Sequence, residues 1–158
     1  VLVVATTGDE ESAAELRKTA PANARVAAFL PYDQLLSRVD VMITNGGYGG
    51  VQFALANGVP LIVAGDTEDK PEIAARVAWA GVGINLRTGS PAKDAIGDAV
   101  RRVLAEPEFR VAAERLSQQF TKTTPLQSIA RALEAAVIAN RGLGAGRAAE
   151  RSGPIGRG

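Results

Sequence analysis

The chain has 158 residues, 46% hydrophobic, 22% charged and 4% aromatic, enough for one complete hydrophobic core. Its 18 basic and 17 acidic residues leave a net charge of +1, which argues against nucleic acid or an anionic membrane as the default partner. There is neither Cys nor His, which excludes disulfides, thiolate metal sites, a cysteine nucleophile, imidazole ligands and every Ser-His arrangement.

The chain opens without Met in an apolar run, Val1–Ala5, expected as a buried strand of something longer and followed by the turn Thr6-Thr7-Gly8. Asp9 is expected to cap a helix from Glu10 to Lys18. Arg25–Leu30 reads as a second strand stopped by Pro31, Asp33–Arg38 as a short helix, and Val39–Thr44 as a third strand. Asn45–Gly50 reads as a glycine-rich turn leading into a helix over Val51–Asn57, with Gly58 just past its end. Pro60–Ala64 is the fourth strand. Pro71 opens a helix to Ala80, and Val82–Leu86 is the fifth strand. Ser90-Pro91 opens a helix with Ile96, Val100, Val103 and Leu104 on one face. Pro107 starts another, and Pro125 a last one carrying Leu126, Ile129, Leu133 and Val137.

Strands alternating with helices on short connections imply parallel pairing and a doubly wound α/β sheet, closed by C-terminal helices. Residues 1–140 form the expected body. Residues 141–158, rich in Gly and Arg, read as a flexible tail. The arginines of the late helices, Arg101, Arg102, Arg110 and Arg115, are expected to meet solvent, and Trp79 to pack. No apolar run reaches the ~20 residues of a membrane span and no leader pattern opens the chain, so a cytoplasmic location is expected.

Ligands of such sheets bind beyond the carboxyl ends of the strands, and three segments fall there. The first is Asn45-Gly46-Gly47-Tyr48-Gly49-Gly50, where four glycines let backbone approach a ligand and a helix start offers N–H groups to phosphate. A tight turn alone needs one or two. Gln52 breaks the dinucleotide pattern, and no Lys-Ser/Thr ending makes a P-loop. Gly49 is expected at a positive φ that a β-branched residue would resist. The second segment, Gly65–Pro71, holds Asp66, Glu68 and Asp69 as acceptors for sugar hydroxyls; taken alone, they read as helix caps. The third, Phe29–Tyr32, offers an aromatic to stack on a base; taken alone, it reads as core filling.

Together and in this order the segments resemble the C-terminal, donor-binding half of a GT-B glycosyltransferase of family 1, the group of macrolide, plant secondary-product and glucuronosyl transferases. That family reads aromatic-x-Pro-Gln, His-Gly-Gly-x-Gly-Thr, Gly-Val-Pro, Asp-Gln-Pro-x-Asn-Ala and Gly-x-Gly. The matching stretches here are Phe29–Tyr32, Asn45–Gly50, Gly58–Pro60, Asp69–Ala74 and Gly81–Gly83.

The resemblance implies that Phe29 stacks on uracil or thymine, that the Leu30 backbone meets the base edge, and that Gly46, Gly47 and Gly49 hold the pyrophosphate. It implies that Asp69 accepts from sugar hydroxyls, and that the donor is a UDP- or TDP-sugar used without cofactor or metal, with inversion at the anomeric centre. The acceptor, a lipophilic small molecule, and the base belong by the same resemblance to an N-terminal domain, so no catalytic residue is assigned here. This sequence departs from the family at Asn45 (His), Gly50 (Thr or Ser), Phe53 (a ribose-binding Glu), Lys70 (Gln) and Ile73 (Asn). Those changes motivate an alternative, a nucleotide-sugar-binding module without transfer activity. An unrelated flavodoxin-like domain would not need the Asn45–Gly50 loop.

Overall fold

The computed structural model describes residues 1–122 and 129–135. In chain order the elements are β1 (Val3–Thr6), α1 (Glu10–Thr19), β2 (Ala24–Ala27) and α2 (Tyr32–Leu35), which tightens into a 3-10 turn at Leu36–Arg38. Then come β3 (Met42–Thr44), α3 (Tyr48–Ala56), β4 (Leu61–Val63), α4 (Lys70–Trp79), β5 (Gly83–Asn85), α5 (Lys93–Ala105) and α6 (Pro107–Lys122). Residues 1–120 form one compact unit and those from 121 onward a second, in which 129–135 are helical. The expected opening of the last helix at Pro125, and the tail at 141–158, lie outside the described residues.

Local chemistry sets most boundaries as expected. The Asp9 carboxylate accepts from the Ser12 N–H at 2.7 Å, and that bond holds its carboxyl below the ordinary value. Gly58 and Gly81 take positive φ just past α3 and α4, ending both helices. One boundary moves. The glycine-rich segment is not all turn, because Tyr48, Gly49 and Gly50 already form the first turn of α3. Glycine lowers helix propensity, but packing of Val51, Ala54 and Leu55 into the core offsets it.

All strand pairing is parallel, as the alternation requires, but it comes in two pieces. β1 pairs with β2, with Val3 opposite Ala24; β3, β4 and β5 pair in that order, with Ile62 between Ile43 and Ile84. Among the described residues no backbone bonds join β1 to β3. The expectation that Val1–Ala5 is buried is therefore corrected: Val1 to Val4 are exposed along an unpaired edge. Apolar patterning finds a strand, but not its lateral neighbour.

The core sits around β4, whose three side chains are fully buried. Leu61 and Val63 point to one face, against Val51, Leu55, Ala74, Val77 and Ala113; Ile62 points to the other, against Ala99 and Val103. Each such side chain contributes roughly 1.5–3 kcal/mol by leaving water. Three expectations about side chains fail here. Leu104 and Trp79 are exposed, Trp79 by 91%, because the last residue of α4 turns away from the sheet. Arg110 does not meet solvent alone: its guanidinium donates to the carbonyls of Gly58 (3.1 Å), Val39 (3.1 Å) and Asp40 (2.9 Å). It ties α6 to the entry of β3 and the end of α3. Among the described residues no helix is long and apolar enough to cross a membrane.

Removing that tie strands three carbonyls, so Arg110→Ala should cost about 1–3 kcal/mol. Arg110→Lys, lacking the planar fork, should recover only part of the loss in urea unfolding.

Candidate donor-binding site

Three loops meet at the carboxyl ends of the strands. After β3, the Thr44 hydroxyl accepts from the Gly46 N–H at 3.2 Å and Asn45 Oδ1 from the Gly47 N–H at 3.1 Å. The Asn45 side-chain oxygen is thus spent on holding the loop, a local turn that asparagine readily makes. Gly46 is buried with φ at +88°, and a Cβ there would stand 2.8 Å from Val63 Cγ1. Glycine is obligatory at this position.

The other three glycines have no such reason. Gly47 and Gly50 would gain only ordinary contacts from a Cβ, and Gly49 none within 4 Å. The expected positive φ at Gly49 is corrected, because the residue lies in the first turn of a helix. The first helical bond is from the Val51 N–H to the Gly47 carbonyl at 3.1 Å, and no side chain caps α3. Among the described residues the N–H groups of Tyr48, Gly49 and Gly50 have no acceptor, at the positive end of the helix dipole and beside bare glycine backbone.

After β4 the chain passes so close that a Cβ on Gly65 would overlap the Asn45 carbonyl. Sequence reading did not single out Gly65; its only signal was its place just after a strand. This crossing brings the start of α4 against the glycine loop. The Asp66 carboxylate accepts from the Gly89 N–H at 2.8 Å and so ties this loop to the one after β5. Asp69 is the N-cap of α4 by position, but its side chain accepts no capping bond. Its exposed carboxylate has no hydrogen bond or ion pair among the described residues, so the capping reading does not hold. Lys70 is the reverse case. Its side chain is only 16% exposed, and its ammonium reaches the Thr67 hydroxyl at 3.2 Å and the Glu68 carboxylate. That ammonium, by hydrogen bond and charge, holds the exposed Glu68 carboxyl below its ordinary value.

The third loop follows β2. Phe29 is 79% exposed, which removes core filling as its role. Leu30, Pro31, Tyr32, Thr6 and Phe53 join it around a cavity of about 550 Å³. The Phe53 ring meets Tyr32 edge to face, centroids 6.3 Å apart, an aromatic pair that sequence reading did not foresee. Phe53 belongs to α3, so this apolar cavity and the free N–H groups lie on one helix. The site residues named above therefore form two groups, Phe29 and Leu30 at the cavity and Asn45–Gly50 with Asp69 and Lys70 at the start of α3. A further cavity of about 460 Å³ opens on the other side of Asp66, toward Arg87.

Residues 2–136 match the family described as erythromycin biosynthesis protein CIII-like, C-terminal domain. The chain belongs to this family. It is 54% identical over 120 residues to a 4'-demethylrebeccamycin synthase of Lentzea aerocolonigenes, covering 76% of this chain and 28% of that protein. It is 43% identical over 110 residues to UDP-glycosyltransferase 2 of Phaeomoniella chlamydospora, covering 70% and 24%. Among solved structures, the glycosyltransferase VinC in complex with DTDP superposes with a TM-score of 0.69 at 30% identity, over 77% of this chain and 30% of that one. The chain thus spans less than a third of each of these proteins. The Rossmann-like, GT-B half expected of a CIII-like C-terminal domain is the fold found.

The glycines of the loop should separate by experiment. Gly46→Ala should destabilise the chain by roughly 1–3 kcal/mol through its positive φ and the clash with Val63. Gly49→Ala should keep or raise the melting temperature, since alanine favours helix, yet weaken diphosphate binding by obstructing backbone approach.

Proposed function

We propose that this chain is the nucleotide-sugar-binding domain, over residues 1–140, of an inverting glycosyltransferase. The enzyme would move a sugar from a UDP- or TDP-sugar to a lipophilic small-molecule acceptor, in the cytoplasm and without a metal ion. One observation carries the reading: α3 begins on bare glycine backbone with three N–H groups that have no acceptor among the described residues, and the same helix carries Phe53 in the wall of an aromatic-lined cavity. A helix start of that kind suits a diphosphate, and the cavity a nucleoside.

The base stacks on Phe29 within the cavity, with the Leu30 backbone at its edge. Phe53 offers no acceptor to the ribose hydroxyls, so its ring contributes apolar contact only. The diphosphate lies on the N–H groups of residues 48–50. As the glycosidic bond breaks, charge accumulates on the leaving diphosphate, and the helix start stabilises it where a divalent ion would otherwise act. Asp69 accepts from sugar hydroxyls. The base that takes the acceptor proton is not among the residues assigned here. Relatives named as a synthase and a UDP-glycosyltransferase support the enzyme over a module without transfer activity.

Calorimetric titration with UDP, TDP and the matching nucleotide-sugars tests this, each with and without EDTA. Binding should be unchanged by EDTA. Asp69→Asn should lose about 1–2 kcal/mol for the nucleotide-sugars alone, as a charge-assisted hydroxyl contact is weakened. A requirement for Mg²⁺, or an equal loss for the free nucleotides, would contradict the proposal.

A further inference from the structure

Lys70 stands where the loops after β3 and β4 converge. A Cβ on Gly46 would lie 3.6 Å from Lys70 Cβ, and one on Gly65 only 3.1 Å, so the lysine stem packs between two obligatory glycines. The side chain is 16% exposed, and its stem lies beside Gly46, two residues before α3 begins. Its partner is built differently. The Glu68 side chain is 76% exposed and hangs from a backbone at φ +56°, a left-handed conformation that glutamate rarely adopts. An ion pair whose carboxylate is this exposed adds little to stability, so fold stability gives little reason to hold glutamate there. The start of α3 favours an anion through its helix dipole, and Asn45 brings no charge to it.

Building on the donor-site reading above, we infer that Glu68 is a built-in counter-ion that the donor's diphosphate displaces, and that Lys70 then passes from Glu68 to the phosphates. The empty site keeps its ammonium neutralised and in place. When a diphosphate seats on residues 48–50, its charge exceeds that of one carboxylate, and its oxygens accept in Glu68's stead. Glu68, repelled and already exposed, swings into water. Lys70 is thereby a diphosphate-binding residue rather than a sugar-contacting one, and Glu68 sets affinity without touching the donor. The device disfavours ligands that lack the second phosphate, since these repay less of the broken pair.

The test measures TDP, inorganic pyrophosphate and thymidine binding to wild type, Glu68→Gln, Lys70→Met and the double variant. Methionine keeps an apolar stem between Gly46 and Gly65, so the loops stay packed. Glu68→Gln should tighten TDP and pyrophosphate roughly two- to fivefold, the size of an exposed ion pair. Lys70→Met should weaken both by about tenfold or more, the value of a charge-assisted bond. Glu68→Gln should then have no effect in the Lys70→Met background, and thymidine should be indifferent to every change. Loss confined to nucleotide-sugars, unaltered pyrophosphate affinity in Glu68→Gln, or pyrophosphate binding to no variant would overturn the inference. Failure of wild type to bind TDP while pyrophosphate follows the expected pattern would instead overturn the donor reading alone.

Discussion

Everything at the site depends on how closely two loops cross. Gly65 passes the Asn45 carbonyl at a distance that admits no Cβ, and Gly46 turns under Val63 with a positive φ. Both contacts lie just beyond the carboxyl ends of the paired strands β3 and β4, so the register of that pairing fixes them. The crossing places the start of α4 against the start of α3. Without it, Asp69 and Lys70 would belong to a different part of the surface from the free N–H groups of α3.

The site is built chiefly from backbone. A chain without histidine has no imidazole for phosphate, and the asparagine in the corresponding place spends its oxygen on the loop itself. In the proposed donor site the helix start supplies the positive potential instead, with glycines giving room for approach. The surrounding carboxylates divide the remaining work. Asp66 anchors the next loop, Glu68 occupies the lysine, and Asp69 stays unpartnered although it sits where a capping bond is usual.

The sequence made the elements legible because their signals are local. Asp9 as a cap, Gly58 and Gly81 as helix ends, and Pro71 at a helix start each act within one turn of chain. The ordered motifs also marked the loops that meet at the carboxyl ends of the strands, since strand ends in an α/β sheet converge. What stayed hidden was set by distant partners. The unpaired edge of β1, the carbonyl-bonded guanidinium of Arg110 and the outward Trp79 depend on what lies alongside, which periodicity does not encode. The same holds for the Tyr32–Phe53 pair and for Gly65. Helical glycine at 49 and 50 was missed because propensity opposes it and only the packing of the following turn decides.

The central claim is that a nucleoside diphosphate seats on the start of α3. Amide chemical-shift mapping of the isotope-labelled chain during titration with TDP tests it most directly. The account predicts that the largest shifts fall on the N–H groups of Tyr48, Gly49 and Gly50, with smaller ones at Phe29 and Leu30. Shifts centred elsewhere, for instance at the cavity beside Arg87, with residues 48–50 unmoved, would contradict it.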